Sequence, residues 1–269
     1  MALVRLLVAC VVAAGCGSGG GFPDAAVDAP PPGPGKFTVA WTVADANAQA
    51  IACSRISAAT VTATLRNKFA VGGSTQVFTC GSSMGTSQAV APGTYDISFE
   101  LDSSTGGVLT TAPTQRDVVI ADGQTTTLAP LAFTVDATGN LKLRLATNKA
   151  GGNCGTGADG GKIDALTISV NHESTGPCEP IMFAISAGAT QPAGTYTIDC
   201  TTPASTACIE SDQELTATNV PSDKYTFHIQ GNVAGAHCWN NSDQVTVPPL
   251  GGTLTTTLNL AFAAGTPGC

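Results

Sequence analysis

Apolar and polar residues alternate with a period of two in run after run of this chain. Tyr95, Ile97, Phe99 and Leu101 alternate with Asp96, Ser98 and Glu100. Val61, Ala63 and Leu65 alternate with Thr60, Thr62 and Thr64. Leu141, Leu143 and Leu145 alternate with Lys142 and Arg144, and Leu166, Ile168 and Val170 with Thr167 and Ser169. Each run predicts a strand with one face in a core and the other in water. The threonines suit the outward face, because β-branched side chains fit the pleat. Gly, Pro, Asn and Asp punctuate the chain between runs. Many short strands with no helical stretches between them predict a sandwich or barrel. The segment 44–59 has neither Gly nor Pro, so a short helix is open to it, whereas its counterpart at 147–164 is too Gly-rich for one. Both read as loops connecting strands.

The pattern repeats. VAPGTYDISFEL (90–101) matches VPSDKYTFHIQG (220–231), and 117–135 matches 243–263. Upstream, 56–65 matches 162–170 and 37–43 matches 140–146. The order of the matches is kept, so one unit has been duplicated. The expected domains are 36–135 and 139–269, joined by Asp136-Ala137-Thr138. So short a joint predicts a fairly stiff pair.

Pro92, Gly93 and Tyr95 in the first unit, and Pro221 and Tyr225 in the second, sit just before a strand. A strand, a Pro-containing turn, a Tyr-led strand and a G-x-T-T-type strand resemble immunoglobulin-like and prealbumin-like (carboxypeptidase regulatory-like) modules. The resemblance covers most of both units. It implies an all-β fold of two tandem antiparallel β-sandwiches. Such folds host unrelated roles, so the likeness implies an architecture and not an activity.

The first 35 residues follow a different logic. Arg5 and the apolar stretch Leu6–Ala14 read as a secretory signal over residues 1–15, too short to span a bilayer. Ala13-Ala14-Gly15-Cys16 resembles the bacterial lipobox. That resemblance implies a lipidated Cys16 as the mature first residue, and Gly17 after it favours outer-membrane delivery by analogy with enteric lipoproteins. Each buried CH₂ adds about 0.8 kcal/mol, so three acyl chains give stable anchoring. Residues 17–35 are Gly-, Pro-, Ala- and Asp-rich and offer little to bury, so 16–35 reads as a lipidated Cys and disordered tether. Its root-mean-square reach is roughly 25 Å. Tethers of this type resemble those of myxobacterial lipoproteins.

Composition narrows the function. The chain has 269 residues, 11 Lys+Arg against 19 Asp+Glu and a net charge of −8, with no basic run. Nucleic acid as a partner is excluded by that balance, because phosphate binding needs clustered Lys/Arg. Only 11% of residues are charged and only 3 are His, which leaves few groups for proton or metal chemistry and argues against an enzyme. Outside the N-terminus no apolar run approaches ~18 residues, so the body does not cross a membrane as helices.

There are 10 Cys; setting aside Cys10 in the signal and Cys16 as the lipid site leaves eight, enough for four disulfides in an exported protein. The repeat aligns Cys53 with Cys154 and Cys80 with Cys200, which predicts Cys53–Cys80 and Cys154–Cys200. The four that remain allow three pairings. Cys178–Cys208 with Cys238–Cys269 is favoured, since it ties down the last residue. No C-x-x-C occurs and no His clusters with Cys at zinc spacing, so neither metal nor cofactor is expected.

Candidate chemistry is thin. Gly81-Ser82-Ser83-Met84-Gly85 matches the G-x-S-x-G of serine hydrolases by letters, but Pro92-Gly93 follows too soon for the helix of a nucleophile elbow. Asp159 and Asp164 in TGADGGKID lack the ligand density of a calcium loop. His228 falls on a polar strand face, and His172 reads as a loop residue. Trp41 reads as core. Trp239, read as an exposed loop residue beside His237 and Asn240, is the candidate ligand-binding position. The favoured function is a non-enzymatic, outer-membrane-anchored lipoprotein with an adhesive, scaffolding or envelope-binding role, its partner an envelope protein or glycan. A carbohydrate- or peptide-binding module using second-domain loops is the first alternative. A serine hydrolase using Ser83 is the second.

Overall fold

A computed structural model describes residues 33–174, 180–199 and 203–269. The lipobox with Cys16, and Cys178 and Cys200, lie outside the described residues. Period-two patterning produces strands throughout. The first sandwich comprises β1 (Lys36–Ala44), β2 (Ala58–Asn67), β3 (Gly73–Thr79), β4 (Met84–Thr86), β5 (Gly93–Ser103), β6 (Val108–Ile120), β7 (Thr125–Thr127) and β8 (Leu131–Thr134). The second comprises β9 (Thr138–Ala146), β10 (Ala165–His172), β11 (Ile181–Ile185), β12 (Gly194–Ile198), β13 (Ala204–Ala207), β14 (Leu215–Pro221), β15 (Lys224–Val233), β16 (Ala236–Thr246), β17 (Thr253–Asn259) and β18 (Ala261–Phe262). A one-turn 3-10 helix, Cys53–Ile56, is all the helix that the Gly-free segment 44–59 forms.

In the first sandwich, the sheet β3-β2-β5-β6 packs on a sheet in which β1 pairs with β4, β7 and β8. In the second, β13-β10-β15-β16-β18 packs on β12-β11-β14-β9-β17. The buried residues form two separate cores, one around Phe37, Trp41, Phe99 and Phe133, the other around Leu141, Phe183, Phe227 and Trp239. Each fully buried Phe contributes about 1.5–3 kcal/mol to its own core.

The sheets are not wholly antiparallel. β1 runs parallel to β7 and β8, and β9 runs parallel to β17. A strand that returns over the top of a sandwich arrives in the same direction as the first, which hairpin-by-hairpin reading of the sequence does not anticipate.

The duplication is visible in the pairing. β2 lies between β3 and β5, and β10 lies between β13 and β15. β1 pairs with β4, and β9 pairs with β14. The β11–β12 hairpin has no counterpart in the first sandwich; it extends one sheet from the edge of β14. One sequence match shifts by a residue. Inward-facing Val39, Trp41 and Val43 correspond to Leu141, Leu143 and Leu145, so β1 aligns with β9 from Lys36 and Thr138. The match of 37–43 with 140–146 would turn every side chain to the wrong face.

The tyrosines of the repeat do equivalent work. The Tyr95 hydroxyl donates to the Ala91 carbonyl at 2.8 Å, and the Tyr225 hydroxyl donates to the Pro221 carbonyl at 2.8 Å. Each ties the start of its strand to the turn before it, four residues back.

Candidate functional site

The disulfides fix the loops first. Cys53 pairs with Cys80 and Cys238 with Cys269, as expected. Cys154 pairs with Cys208, which overturns both Cys154–Cys200 and Cys178–Cys208. The register gives the reason. Thr79 pairs with Thr60 and Ala207 with Ala165, at matching positions of β2 and β10. Cys80 and Cys208 each follow directly, so Cys208 and not Cys200 is the duplicate of Cys80. The β11–β12 insertion moves it along the chain and raises the separation from 27 residues to 54.

Beside this staple, Asn153 is fully buried and fully used. Its amide donates to the carbonyls of Leu145 at 2.8 Å and Ile209 at 2.9 Å, and its oxygen accepts the Thr147 amide at 2.9 Å. The Glu210 carboxylate accepts the backbone amides of Asn153 at 2.8 Å and Cys154 at 3.2 Å. The Gly-rich loop is therefore a clamped structure. Within it Gly151 donates to the Asp159 carbonyl and Gly161 to the Gly152 carbonyl, and the Asp164 carboxylate is occupied by the Ala234 amide at 2.8 Å. Among the described residues, no group of three or more His, Cys, Asp or Glu could hold a metal ion.

Trp239 is a buried strand residue, not the exposed loop residue that the sequence predicts. Trp239 is 4% exposed, lies within β16 and donates its indole N–H to the Gly161 carbonyl at 2.8 Å. A bulge is responsible: Gly231 pairs with Trp239 and Asn232 with His237, which leaves Cys238 unpaired. The extra residue lets both Cys238 and Trp239 face inward, so strict alternation fails there. Gly231 makes room for the indole, since a Cβ at that position would stand 2.9 Å from both Trp239 Cβ and Ile163 Cδ1. His237 and Asn240 stay exposed, with the His237 ring 2.6 Å from Asn232 Oδ1, and the exposed aromatic beside them is Phe262 on β18, its ring 5.1 Å from that of Trp239. The turn before them, Ala234-Gly235, has positive φ at both residues, as a tight two-residue hairpin turn requires.

Ser83 is exposed and ends a one-turn 3-10 helix, Cys80–Ser82, in the left-handed region. The chain then continues into β4 rather than into a helix, so no nucleophile elbow forms. Ser83 borders a cleft of about 410 Å³, and among the described residues lining it stands neither a His nor a carboxylate. Trp41 is 3% exposed and donates to the Cys80 carbonyl at 2.8 Å, as a core residue over the staple. His228 lies on the solvent face between Asn171 and Ser242.

The feature that sequence reading missed is how the joint is bonded. Ala137 is buried in the first core, yet its carbonyl accepts the Ser222 amide at 2.7 Å from the second sandwich. The Asp136 and Thr138 carbonyls accept the amides of Leu250 and Gly251, each at 2.9 Å. Arg55 Nε, from the first sandwich, donates to the Ser222 carbonyl at 2.9 Å. A cleft of about 660 Å³ opens beside these bonds, lined from both sandwiches by Ser54, Arg55, Glu173, Ser174, Asp223 and Lys224 among others.

Ser174 and Asp223 line this cleft, and His172 converges on both from behind. His172 ends β10 instead of lying in a loop, and its side chain is largely buried. The Ser174 hydroxyl lies 2.9 Å and Asp223 Oδ2 3.2 Å from the same ring nitrogen, Nδ1. A catalytic triad needs the carboxylate on one nitrogen and the serine on the other, so this cluster cannot relay a proton to Ser174. Its role is anchoring. Burial pushes the Asp223 carboxyl up, but the Ser174 hydroxyl, the amides of Lys224 and Ser174, and His172 outweigh that and hold it below the ordinary carboxylate value. The first sandwich shows the same corner in simpler form. Asn67, the counterpart of His172, accepts the Phe69 amide at 2.9 Å, as Asp223 accepts that of Ser174 at 3.1 Å. Gly93, the counterpart of Asp223, leaves room for Asn67, whose Nδ2 a Cβ would approach to 2.8 Å.

No family model matches the sequence, and no curated protein does. Among solved structures the chain is similar to the major pilin from Streptococcus pyogenes, with 9% identity, 85% of this chain and 97% of the pilin covered, and a TM-score of 0.33. It is also similar to the shaft pilin SpaA from Lactobacillus rhamnosus GG, with 8% identity, 86% and 98% covered, and a TM-score of 0.27. The Bacillus anthracis TIE protein matches at 9% identity and a TM-score of 0.32, over 86% of this chain and 34% of that one. Scores this low transfer neither topology nor activity, and the all-β sandwich assignment rests on the strands and cores described above.

Proposed function

We propose that this chain is a non-enzymatic lipoprotein of the outer membrane, anchored through Cys16. It presents two stapled sandwiches, 36–135 and 139–269, for an adhesive, scaffolding or envelope-binding role. The observation that carries the reading is the joint. Its three carbonyls are all bonded to the second sandwich, and the Ser174/His172/Asp223 convergence there is consumed in holding the corner. The polar side chains that could serve an enzyme are committed here to bonds within the second sandwich, while Arg55 and the carbonyls of Asp136 and Ala137 fix one sandwich against the next. Rigid presentation lowers the entropy cost of binding a partner.

The anchor is tested by palmitate labelling of the full chain and of Cys16→Ala; label that persists in the variant refutes it. The envelope role is tested by cross-linking in the native envelope followed by pull-down. Specific recovery of an envelope protein supports it, and fluorophosphonate labelling that Ser83→Ala or Ser174→Ala abolishes overturns the non-enzymatic assignment. A second reading, peptide binding, is favoured by the joint cleft, whose wall carries both signs of charge in Arg55, Lys224, Glu173 and Asp223. Binding of charged peptides that Arg55→Ala weakens, with no response on a glycan array, would select it.

A further inference from the structure

The tip of the β2–β3 hairpin carries two large apolar side chains in full solvent: Phe69 is 85% exposed and Val71 109%. Flexibility does not explain them, because the loop is held. Asn67 Oδ1 accepts the amides of Phe69 at 2.9 Å and Ala70 at 3.0 Å, and the Lys68 amide donates to the Thr94 carbonyl at 3.0 Å. Lys68 is also paired with Asp117 across the sheet. Burying an apolar side chain is favourable, so a braced loop that projects two of them is built for contact with something apolar.

The position of the loop identifies that surface. Gly35 and Val90 exchange backbone hydrogen bonds at 2.9 Å, and β5 begins just beyond Val90. The chain therefore enters the first sandwich at the same end that bears Phe69 and Val71, while the joint lies at the opposite end of β1. In the second sandwich the corresponding end, around His172 and Asp223, is covered by the first sandwich through Ala137 and Arg55. In the first sandwich that end is the one at which the chain enters, where Gly35 meets Val90. Its charge also departs from that of the whole chain. Lys36, Arg66, Lys68 and Arg116 stand there against Asp96, Asp117 and Asp122, four against three, in a chain of net −8. An anionic lipid surface is not repelled by such an end.

We propose that the β2–β3 tip is a membrane-contacting loop, seating Phe69 and Val71 in the headgroup–acyl boundary of the bilayer to which the chain is tethered. This rests on the lipid anchor at Cys16 proposed above. The anchor brings the sandwich within reach, and the tip sets which end meets the lipid. Aromatic and branched side chains at such a boundary add binding in proportion to the apolar area they bury.

The test uses the full chain, purified from membranes and placed in vesicles of phosphatidylethanolamine and phosphatidylglycerol with brominated acyl chains. Native Trp41 and Trp239 are both buried and give a flat background. Phe69→Trp should lose added emission to the bromine if the ring enters the acyl boundary. Val77→Trp, at a 60% exposed position midway along β3, should lose none. Palmitate labelling of the same preparations reads the anchor separately. Labelled chain with quenching confined to Phe69→Trp supports the proposal. Labelled chain with no quenching, or with equal quenching at both positions, overturns the tip and leaves the anchor standing. If the label is absent the anchor reading fails. The unlipidated chain is then titrated with the same vesicles: quenching confined to Phe69→Trp sustains the tip as a membrane contact, and its absence overturns it.

Discussion

Removing the duplicated staple from each sandwich in turn is a matched experiment, because the two bridges hold equivalent points of equivalent folds. Cys53–Cys80 has a sequence separation of 27 and Cys154–Cys208 one of 54. In the chain-entropy relation these lengths correspond to about 3.6 and about 4.2 kcal/mol of stabilisation. The difference, about 0.6 kcal/mol, is the cost of doubling a loop. At a urea dependence of about 2 kcal/mol per molar, either loss lowers the midpoint of its own sandwich by roughly 2 M. Each sandwich carries one buried Trp, so a Trp239→Phe background reports the first and a Trp41→Phe background the second. Paired Cys→Ser variants avoid stray thiols. The expected result is that Cys53→Ser/Cys80→Ser lowers the Trp41 midpoint, while Cys154→Ser/Cys208→Ser lowers the Trp239 midpoint slightly more. An unmoved Trp239 midpoint, or peptide mapping that joins Cys154 to Cys200, would refute the equivalence of Cys80 and Cys208.

Other predictions concern the corners and the bulge. Tyr95→Phe and Tyr225→Phe each remove one 2.8 Å bond to a turn carbonyl, and each should cost about 0.5–1.5 kcal/mol by urea melts. Two sites so far apart should add within about 0.5 kcal/mol in the double variant. Gly231→Val forces a side chain between Ile163 and Trp239, so a loss of about 1–3 kcal/mol with a shifted Trp239 emission is expected. The Asp223 carboxyl is held below its ordinary value of 3.8, so its contribution is present above that pH and is lost as pH falls through the lower, folded value. Asp223→Asn should therefore lower the urea midpoint of the second sandwich at neutral pH and flatten its decline below about pH 4. A variant as acid-sensitive as the parent would count against that origin.

Much of the fold was legible because one face of most strands is buried. Alternation around Ile97, Phe99 and Leu101 fixes both the strand and its inward face, and the same holds for Leu141, Leu143 and Leu145. Alternation is blind to a bulge, which is why Trp239 reads as a loop residue while lying in the core beside Cys238. The staple was legible as a repeat but not in its second partner. An inserted hairpin changes spacing without changing topology, and only the Thr60–Thr79 and Ala165–Ala207 pairings show that Cys208 is in step with Cys80. The joint was legible as short, but its bonds come from Arg55, Ser222, Leu250 and Gly251, far apart in the chain. The corner formed by His172 and Asp223 brings together residues 51 apart, a distance at which a single sequence carries no pairing signal.

The parallel pairing of β1 has a mechanical consequence. The chain enters along β1 and leaves for the joint along β8, with both strands pointing the same way. Tension applied between residue 36 and the joint therefore runs along the β1 ladder. Its bonds to β7 and β8 are loaded together in shear, not opened singly from one end. The second sandwich repeats the arrangement, with β9 beside β17 over seven register pairs from Asn140–Thr253 to Ala146–Asn259. The Cys53–Cys80 and Cys154–Cys208 bridges cap how far either unit can extend even after its ladder yields. A tug on the N-terminal segment is thus borne by whole ladders at once, at loads that would peel an antiparallel hairpin apart.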